Sequence, residues 1–362
     1  MRTALRCGVA LCALLAMGAV QVRADLTLPP LNYAGAFRMG ASFGSYGLAS
    51  LAYYKDPDTG QESLYHNNYS NFYICDIPEP LDPGVVGWAG LNTQSLLSGP
   101  VTIGGKSKAG IRIRNDGAAD TLYTAGNSGD WDSASMDLGT TAYLGTGGTS
   151  HHRGLSPAPA DFVTHCAAPA EQDTLDAFAW CNAPWLHLAA PQLGDGSASS
   201  VPSTEILRIT DAYQHANSHY TYTAVEWLQS AGGSSAFQDG FIVVAEKDSG
   251  PAALNWSLVF YDPSQLPYVS TWGANPDYWL PADGTRMDID PYLSPGVNYH
   301  SSHGGIWGLA YDPETGRLFV GENGNDPGAV VHVFESVVPE PATLGLLILG
   351  LLPLLRPRRR RK

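Results

Sequence analysis

Two segments of the sequence repeat one short pattern: a strand, an Asp-Pro turn and a second strand. Residues 51–67 read LAYYKDPDTGQESLYHN and residues 309–323 read LAYDPETGRLFVGEN, and they align when two extra residues are allowed on each side of the first turn. In such a turn proline restricts φ, aspartate accepts hydrogen bonds from the backbone, and glycine supplies the positive φ that closes the loop. Both segments are therefore predicted to be β-hairpins.

Looser copies of this pattern lie between the two hairpins. Residues 111–126 and 224–246 alternate apolar and polar side chains on both sides of a glycine-containing turn, and residues 185–200 form a weaker copy. If the second strand of each hairpin is used as a marker, the markers lie about 60 residues apart. These markers are Leu64, Leu122, Leu186, Phe241 and Leu318.

Five units that each supply three or four short antiparallel strands predict an all-β fold, a β-propeller. A single small sheet cannot bury both of its faces, so the sheets must stack around an axis. Five blades are predicted, with six as the alternative because the last spacing is long. Residues 32–39, NYAGAFRM, alternate as a strand and are predicted to supply the outer strand of the last blade. The 40 glycines and 26 prolines exclude long helices from this body.

The N-terminal residues 1–24 have the pattern of a secretory signal peptide. Arg2 and Arg6 precede an apolar run, and Val22-Arg23-Ala24 precedes the predicted cleavage between Ala24 and Asp25. This segment is predicted to be a signal helix that is removed on export. The exported domain then comprises residues 25–338.

The C-terminal residues 339–362 combine three parts in a fixed order. Pro339-Glu340-Pro341 comes first, fourteen uncharged residues (342–355) follow, and five arginines and one lysine lie in residues 356–362. As a helix the apolar part spans roughly 21 Å, against a hydrocarbon core of about 30 Å. The basic cluster is expected to stay on the cytoplasmic side. A slightly short membrane anchor is one interpretation of this segment.

This tripartite tail resembles the PEP-CTERM sorting signal. The resemblance covers only the last residues of the chain, from Val338 onward. It implies recognition and processing by an exosortase-type enzyme, transient anchoring in the inner membrane, and delivery to the cell envelope, surface or extracellular matrix of a Gram-negative bacterium that makes exopolysaccharide. The hairpin residues 308–322 also resemble the blade motif of exported bacterial propellers, which implies fold more than function.

The charge and the cysteines limit the partners. The net charge is −14, and the region between the two terminal signals is more acidic still, which disfavours nucleic acid and favours cations such as Ca²⁺. Solubility outside the cell explains the same charge. In an oxidising compartment Cys166 and Cys181 are the predicted disulfide, and Cys75 is then unpaired. No cofactor is predicted, and Ca²⁺ or another divalent metal is the open alternative.

Candidate chemistry lies in the loops that lead into the innermost strands of a propeller. His300 and His303 precede such a strand, Asp288 and Asp290 lie upstream, and Glu226 is on the inner strand of the fourth unit. Histidines and carboxylates together are the ligands of a divalent metal site. The alternative is that the histidines are surface residues and the aspartates form Asx turns.

Two further groups of residues have weaker signals. Trp272, Tyr278 and Trp279 lie in a loop rich in proline, glycine and asparagine, where aromatic rings can stack on a sugar or pack between sheets. Residues 151–153, His-His-Arg, are predicted to be a solvated loop.

Two functions from different classes remain. The first is a binding or structural module associated with exopolysaccharide at the cell surface. The second is a propeller enzyme, a metal-dependent hydrolase or lactonase or a quinoprotein-like dehydrogenase, with a site near His300 and His303. The binding module is favoured, because no nucleophile elbow, P-loop or Rossmann fingerprint is present and no catalytic set is legible.

Overall fold

The computed structural model describes most of the chain between residues 31 and 336. The described ranges are 31–40, 50–67, 71–102, 108–115, 120–126, 140–144, 151–180, 183–190, 192–193, 202–208, 220–229, 240–248, 255–269, 285–295, 305–323 and 328–336. Regular structure in these ranges is mostly β-strand, and the α-helices α1 (Pro83–Val86) and α2 (Ala160–His165) are short. None of the helices in these ranges has the length and apolar character needed to cross a membrane.

The described strands form five sheets, four with four strands and one with five. From the inside outward, sheet I contains β2 (Ser50–Lys55), β3 (Glu62–Asn67), β4 (Asn71–Cys75) and β5 (Leu96–Thr102). Sheet II contains β6 (Lys108–Asn115), β7 (Asp120–Gly126), β8 (Thr140–Leu144) and β12 (Gln192–Leu193). Sheet III contains β9 (His151–Pro157), β10 (Thr174–Trp180), β11 (Ala183–Ala189), β13 (Ser203–Arg208) and β17 (Tyr268–Val269). Sheet IV contains β14 (Tyr220–Gln229), β15 (Gly240–Asp248), β16 (Asn255–Tyr261) and β18 (Thr285–Asp288). Sheet V contains β19 (Gly305–Asp312), β20 (Arg317–Asn323), β21 (Val330–Ser336) and β1 (Leu31–Arg38).

The first strands of the five sheets stand side by side around a common axis. β2 contacts β6, β6 contacts β9, β9 contacts β14, β14 contacts β19, and β19 contacts β2, so the ring closes. Because each sheet is flanked by two others, both of its faces are covered. The fold is a β-propeller, which confirms the predicted architecture.

The two Asp-Pro hairpins have the predicted turn chemistry. The Asp56 carboxylate accepts the backbone N–H groups of Asp58 and Thr59 at 2.8 and 3.0 Å, and Gly60 has φ +71°. The Asp312 carboxylate accepts the N–H of Glu314 at 3.0 Å. Local turn chemistry therefore suffices to start sheets I and V.

Apolar clusters fill the spaces between adjoining sheets. One cluster joins sheets III and IV through side chains such as Leu175, Val225 and Ile242, all nearly inaccessible to solvent. Another joins sheets IV and V around Trp256, and a third joins sheets V and I around Phe319. The core of the protein is thus a series of inter-sheet layers rather than one central mass.

Neighbouring inner strands approach so closely at two points that glycine is required. A Cβ added at Gly154 on β9 would lie 2.5 Å from the backbone nitrogen of Val225 on β14. A Cβ added at Gly308 on β19 would lie 2.8 Å from Leu51 on β2. These distances are shorter than van der Waals contact, so the absence of a side chain sets how tightly these sheets pack.

The ring is closed by the first strand of the chain. β1 pairs antiparallel with β21, with Leu31 opposite Ser336 and Arg38 opposite Val330. The sequence prediction that residues 32–39 form the outer strand of the last unit is confirmed. The closure joins the beginning of the folded chain to its end.

A segment from sheet I covers the other edge of β1. We call residues 81–94 the strap. Ala36 exchanges two backbone hydrogen bonds with Leu81, each 2.9 Å, and Arg38 bonds Asn92 and Gln94 at 2.7 and 2.9 Å. β1 is therefore bonded on both sides, and the outer edge of sheet V is not free to pair with another chain at these positions. The strap was not predicted from the sequence.

The third unit differs from its prediction. Residues 151–153, predicted to be a loop, are the first residues of β9, the innermost strand of sheet III. The marker Leu186 lies on β11, the third strand rather than the second. The reason is that a connection containing α2 separates β9 from β10, so the inner hairpin has no short turn to mark it.

The close approach at Gly154 is testable by mutation. Gly154→Ala is expected to lower the free energy of unfolding by about 2 kcal/mol or more, because backbone atoms of Val225 and Ala224 would have to move. Urea denaturation followed by fluorescence gives the value. Gly90→Ala is the matched control, since its Cβ would meet only the Val86 side chain, at 3.2 Å. Equal stability of the two variants would contradict the tight contact between β9 and β14.

Candidate functional site

Most of the residues predicted from the sequence to have a function lie outside the described ranges. These are Ala24, Asp25, Cys181, Trp272, Tyr278, Trp279, His300, His303, Pro339, Glu340 and Pro341. Their roles stay predictions. Asp288, Asp290 and Cys166 are described, and each can be examined for what it contacts.

Asp288 and Asp290 lie at the outer edge of sheet IV and hold a turn. The Asp288 carboxylate accepts the N–H of Asp290 at 3.0 Å, and the Asp290 carboxylate accepts the N–H of Trp256 at 2.9 Å. Burial raises the pKa of Asp290, the charge of Asp288 raises it further, and the hydrogen bond from Trp256 opposes both. Within the described ranges no group of three or more histidine, cysteine or acidic side chains is placed to hold a metal ion. The metal prediction also needs His300 and His303, so it stays a prediction.

The two described cysteines are buried free thiols. Cys166 ends α2, and burial raises the pKa of its thiol to about 12. Burial, followed by the nearby charge of Asp76, raises the pKa of the Cys75 thiol to about 12 as well. Thiols with such pKa values are poor nucleophiles near neutral pH. Because Cys166 is a free thiol in this structure, the predicted Cys166–Cys181 disulfide is not formed in it; Cys181 itself lies outside the described ranges.

A buried carboxyl group lies near the axis, between sheets III and IV. Ser156, on inner strand β9, donates a hydrogen bond of 2.5 Å to the Glu226 carboxylate on inner strand β14. The backbone N–H of Trp227 donates to the Ser156 hydroxyl at 2.9 Å and to the Glu226 carboxylate at 3.1 Å. Ser156 is fully buried and Glu226 is 8% exposed. We call Ser156, Glu226 and the Trp227 N–H the axial cluster.

The protonation of Glu226 follows from its burial. Burial raises the pKa of Glu226 from its usual value of 4.5 to about 8. The hydrogen bonds from Ser156 and Trp227 and the positive charge of Arg112 lower this pKa, but by less. The carboxyl group is therefore mostly neutral at pH 7, which removes the cost of burying a charge.

Arg112 makes a second polar connection, between sheets II and III. Its guanidinium, on inner strand β6, donates to the backbone carbonyl of Asp173 at 3.0 Å, to the Asp173 carboxylate at 3.1 Å, and to the Thr174 hydroxyl. Arg112 is 6% exposed. A buried guanidinium that is paired and hydrogen-bonded in this way joins two sheets and is not available to an incoming ligand.

A third polar network lies at the ring closure, and we call it the closure network. His332 on β21 bonds the Glu322 carboxylate on β20 at 2.8 Å through Nε2 and the Tyr33 hydroxyl on β1 at 3.2 Å through Nδ1. Ser294, which follows β18 of sheet IV, donates to Glu322 through its N–H at 2.9 Å and through its hydroxyl. The Trp88 ring of the strap meets the His332 ring edge-on, with centroids 6.1 Å apart. Segments of sheets I, IV and V therefore converge on one buried, hydrogen-bonded pair, Glu322 and His332.

These networks combine residues that are far apart in the sequence. Sequence analysis singled out Glu226 as a carboxylate on an inner strand, but as a metal ligand. It missed Ser156 because β9 was not recognised as a strand. It missed Arg112, on the predicted strand β6, because its partners Asp173 and Thr174 lie in a different sheet. In the structure Glu226 is closed off from solvent and bonded to protein groups, which is the arrangement of an inter-sheet connection with a titratable proton.

No protein-family model matches the chain, and no curated protein shows significant similarity to it.

The raised pKa of Glu226 predicts a specific dependence of stability on pH. Between its usual pKa of 4.5 and about 8 the folded protein holds a proton that the unfolded chain has released. Stability should therefore fall as pH rises through this window, by about 1.4 kcal/mol per pH unit from this group. Glu226→Gln, which is neutral and keeps the acceptor oxygen, should lose this contribution and be more stable than the wild type at pH 8.

The measurement is the urea midpoint at several pH values between 5 and 8. Glu335→Gln, an exposed position on β21, is the control and should keep the wild-type slope. If Glu226→Gln retained the full wild-type pH dependence, the neutral state of Glu226 would be disproved.

The closure network predicts a large effect at His332. His332→Ala should lower the free energy of unfolding by about 3 kcal/mol, because the buried Glu322 carboxyl group would lose the hydrogen bond to His332 Nε2 and a cavity would remain. Glu335→Ala on the same strand is exposed and should change stability by less than about 0.5 kcal/mol. Chemical denaturation of both variants checks this, and a small effect at His332 would mean that the closure does not depend on the hydrogen bond between His332 and Glu322.

Proposed function

We propose that the protein is an exported, five-bladed propeller that is delivered to the cell surface by its C-terminal signal and binds exopolysaccharide there. Each of the five sheets is one blade in this proposal. The processing partner is an exosortase-type enzyme, and the inner membrane holds the chain before processing. The acidic charge of the chain argues against nucleic acid as a partner.

This proposal is supported by the positions at which the propeller begins and ends in the sequence. β1 begins at Leu31, shortly after the predicted cleavage site, and β21 ends at Ser336, shortly before Pro339. The propeller therefore fits between the two predicted export signals without using either of them. A chain built in this way can lose both terminal segments and keep its closing strand pair.

The strand register of sheet V also distinguishes the two ends of the propeller along its axis. Leu31 and Ser336 are opposite one another at the end of sheet V where β19 stops at Asp312. The chain enters β19 at Gly305, at the other end of the sheet. A tail that leaves after Ser336 holds the first end towards the membrane. The second end, into which the segment with His300 and His303 leads, is the one we propose to face the exopolysaccharide.

The sorting step is the part of the proposal that can be tested most directly. Replacing Pro339, Glu340 and Pro341 with alanine should leave the propeller folded and abolish processing, because the processing enzyme is expected to read this tripeptide. The readout is the intact mass of the protein recovered from the cell. The variant should keep the mass of the chain with its C-terminal segment, and the wild type should lose it.

The chain contains its own control for this experiment. Pro78-Glu79-Pro80 is the same tripeptide, just ahead of the strap, and the Glu79 carbonyl accepts a hydrogen bond of 2.8 Å from the Asn92 side chain. Replacing these three residues with alanine should leave processing unchanged. Normal processing of the 339–341 variant would refute the sorting proposal, and loss of processing in both variants would point to a folding defect.

A further inference from the structure

The exposed large apolar side chains of the described ranges are concentrated in one short part of the chain. They are Val85, Val86, Leu96 and Leu97, with exposed fractions of 80, 41, 44 and 48%. We call these four residues the apolar rim. Residues 83–105, which include them, have no charged side chain, although the chain as a whole has a net charge of −14. A concentrated, uncharged apolar surface on an acidic protein suggests a surface that contacts something other than water.

The apolar rim lies on the outside of the propeller, where sheets V and I adjoin. Val85 and Val86 belong to α1 in the strap, which covers the outer edge of β1. Leu96 and Leu97 begin β5, the outermost strand of sheet I. All four side chains are therefore far from the axis, in the two sheets next to the ring closure.

The direction of the strap brings α1 towards the end of the ring where the chain leaves. Leu81 forms an antiparallel bridge with Ala36, so after Leu81 the strap runs towards Leu31. Thr93 forms a parallel bridge with Arg38, so the strap approaches Thr93 from the same direction. Between Leu81 and Thr93 the strap therefore turns back near the Leu31 end of β1. Burial raises the pKa of Tyr33, and the charge of Asp82, the residue before α1, raises this pKa further, which agrees with this direction. α1 is thus beside the first half of β1, and Leu31 of that half is paired with Ser336.

The uncharged segment 342–355 begins six residues after Ser336. Six residues span at most about 20 Å when fully extended. Adjacent strands are only about 4.8 Å apart, so β1 and the strap lie close to Ser336 compared with the reach of these six residues. A bilayer that accepts the apolar segment is therefore close to the outer edge of sheet V.

We propose that the apolar rim rests on the neutral lipid interface of the membrane while the C-terminal segment holds the chain there. This inference depends on the proposed function, because it needs the tail to be in the membrane before processing. Four aliphatic side chains without a basic patch bind lipid weakly on their own. The contact therefore orients the propeller while the tail is present and ends when the tail is removed.

The test uses the full chain in nanodiscs of phosphatidylcholine, and part of this lipid carries a nitroxide quencher. An environment-sensitive fluorophore is attached at Ala89→Cys, an exposed strap position next to the rim. The matched control is Ala160→Cys, an exposed alanine at the start of α2, in the connection between β9 and β10 of sheet III and away from sheets V and I. Unsubstituted protein treated with the same reagent corrects for labelling of the native cysteines.

Contact with lipid should quench the fluorophore at Ala89 at least about twofold more than the one at Ala160. Adding Val85→Ser, Val86→Ser, Leu96→Ser and Leu97→Ser should bring quenching at Ala89 to the Ala160 level, while the protein still elutes with the nanodiscs. Equal quenching at both positions in protein that elutes with nanodiscs would overturn the rim contact alone. Protein that does not elute with nanodiscs would overturn the rim contact together with the membrane step of the proposed function.

If the label at Ala89 is shielded from water but not quenched by the lipid nitroxide, a second copy of the chain covers the rim. That result would also overturn the proposal.

Discussion

The pairing of β1 with β21 is the constraint on which the rest of this structure depends. A four-stranded sheet exposes two faces, and each sheet here can bury both only if it has a neighbour on each side. A row of sheets would leave two faces uncovered, whereas a ring leaves none. The ring is held closed because the first strand of the chain occupies the outer position of the last sheet, where β21 bonds one edge and the strap bonds the other at Ala36 and Arg38.

At the outer edges of other sheets, the last strand is likewise covered by a segment that comes from the neighbouring sheet. β12 follows β11 of sheet III in the chain but pairs with β8 of sheet II, and β17 follows β16 of sheet IV but pairs with β13 of sheet III. The strap, which comes from sheet I, covers β1 of sheet V. In each case a segment of one sheet blocks the edge of the preceding sheet in the ring, which both ties the sheets together and limits edge-to-edge association.

Buried polar groups connect the sheets where apolar packing alone would not determine their alignment. The axial cluster joins sheets III and IV, Arg112 joins sheets II and III, and the closure network joins sheets IV and V. Between sheets V and I, Arg317 bonds Asp312 at 2.9 Å and Glu62 at 2.8 Å. Because each of these hydrogen bonds joins two sheets in a buried environment, the networks help to define how the sheets stack.

The sequence by itself determined the features that depend on neighbouring residues. The hairpins around Asp56 and Asp312 follow from turn chemistry, and the closing strand follows from the alternation of residues 32–39, because both signals are contained in a few adjacent positions. The propeller architecture followed from repeating such units. The two export signals are predicted from local patterns as well; they lie outside the described ranges and stay predictions.

Only the tertiary structure decided the features that depend on residues far apart in the chain. Separate strands or sheets are joined by the strap over β1, by the hydrogen bond between Ser156 and Glu226, and by the hydrogen bond between Glu322 and His332. Sheet III was misjudged from the sequence because α2 interrupts its inner hairpin and removes the short turn that marks the others. The physical reason is that a turn is encoded by its own residues, whereas a pairing between sheets depends on the packing of the whole ring.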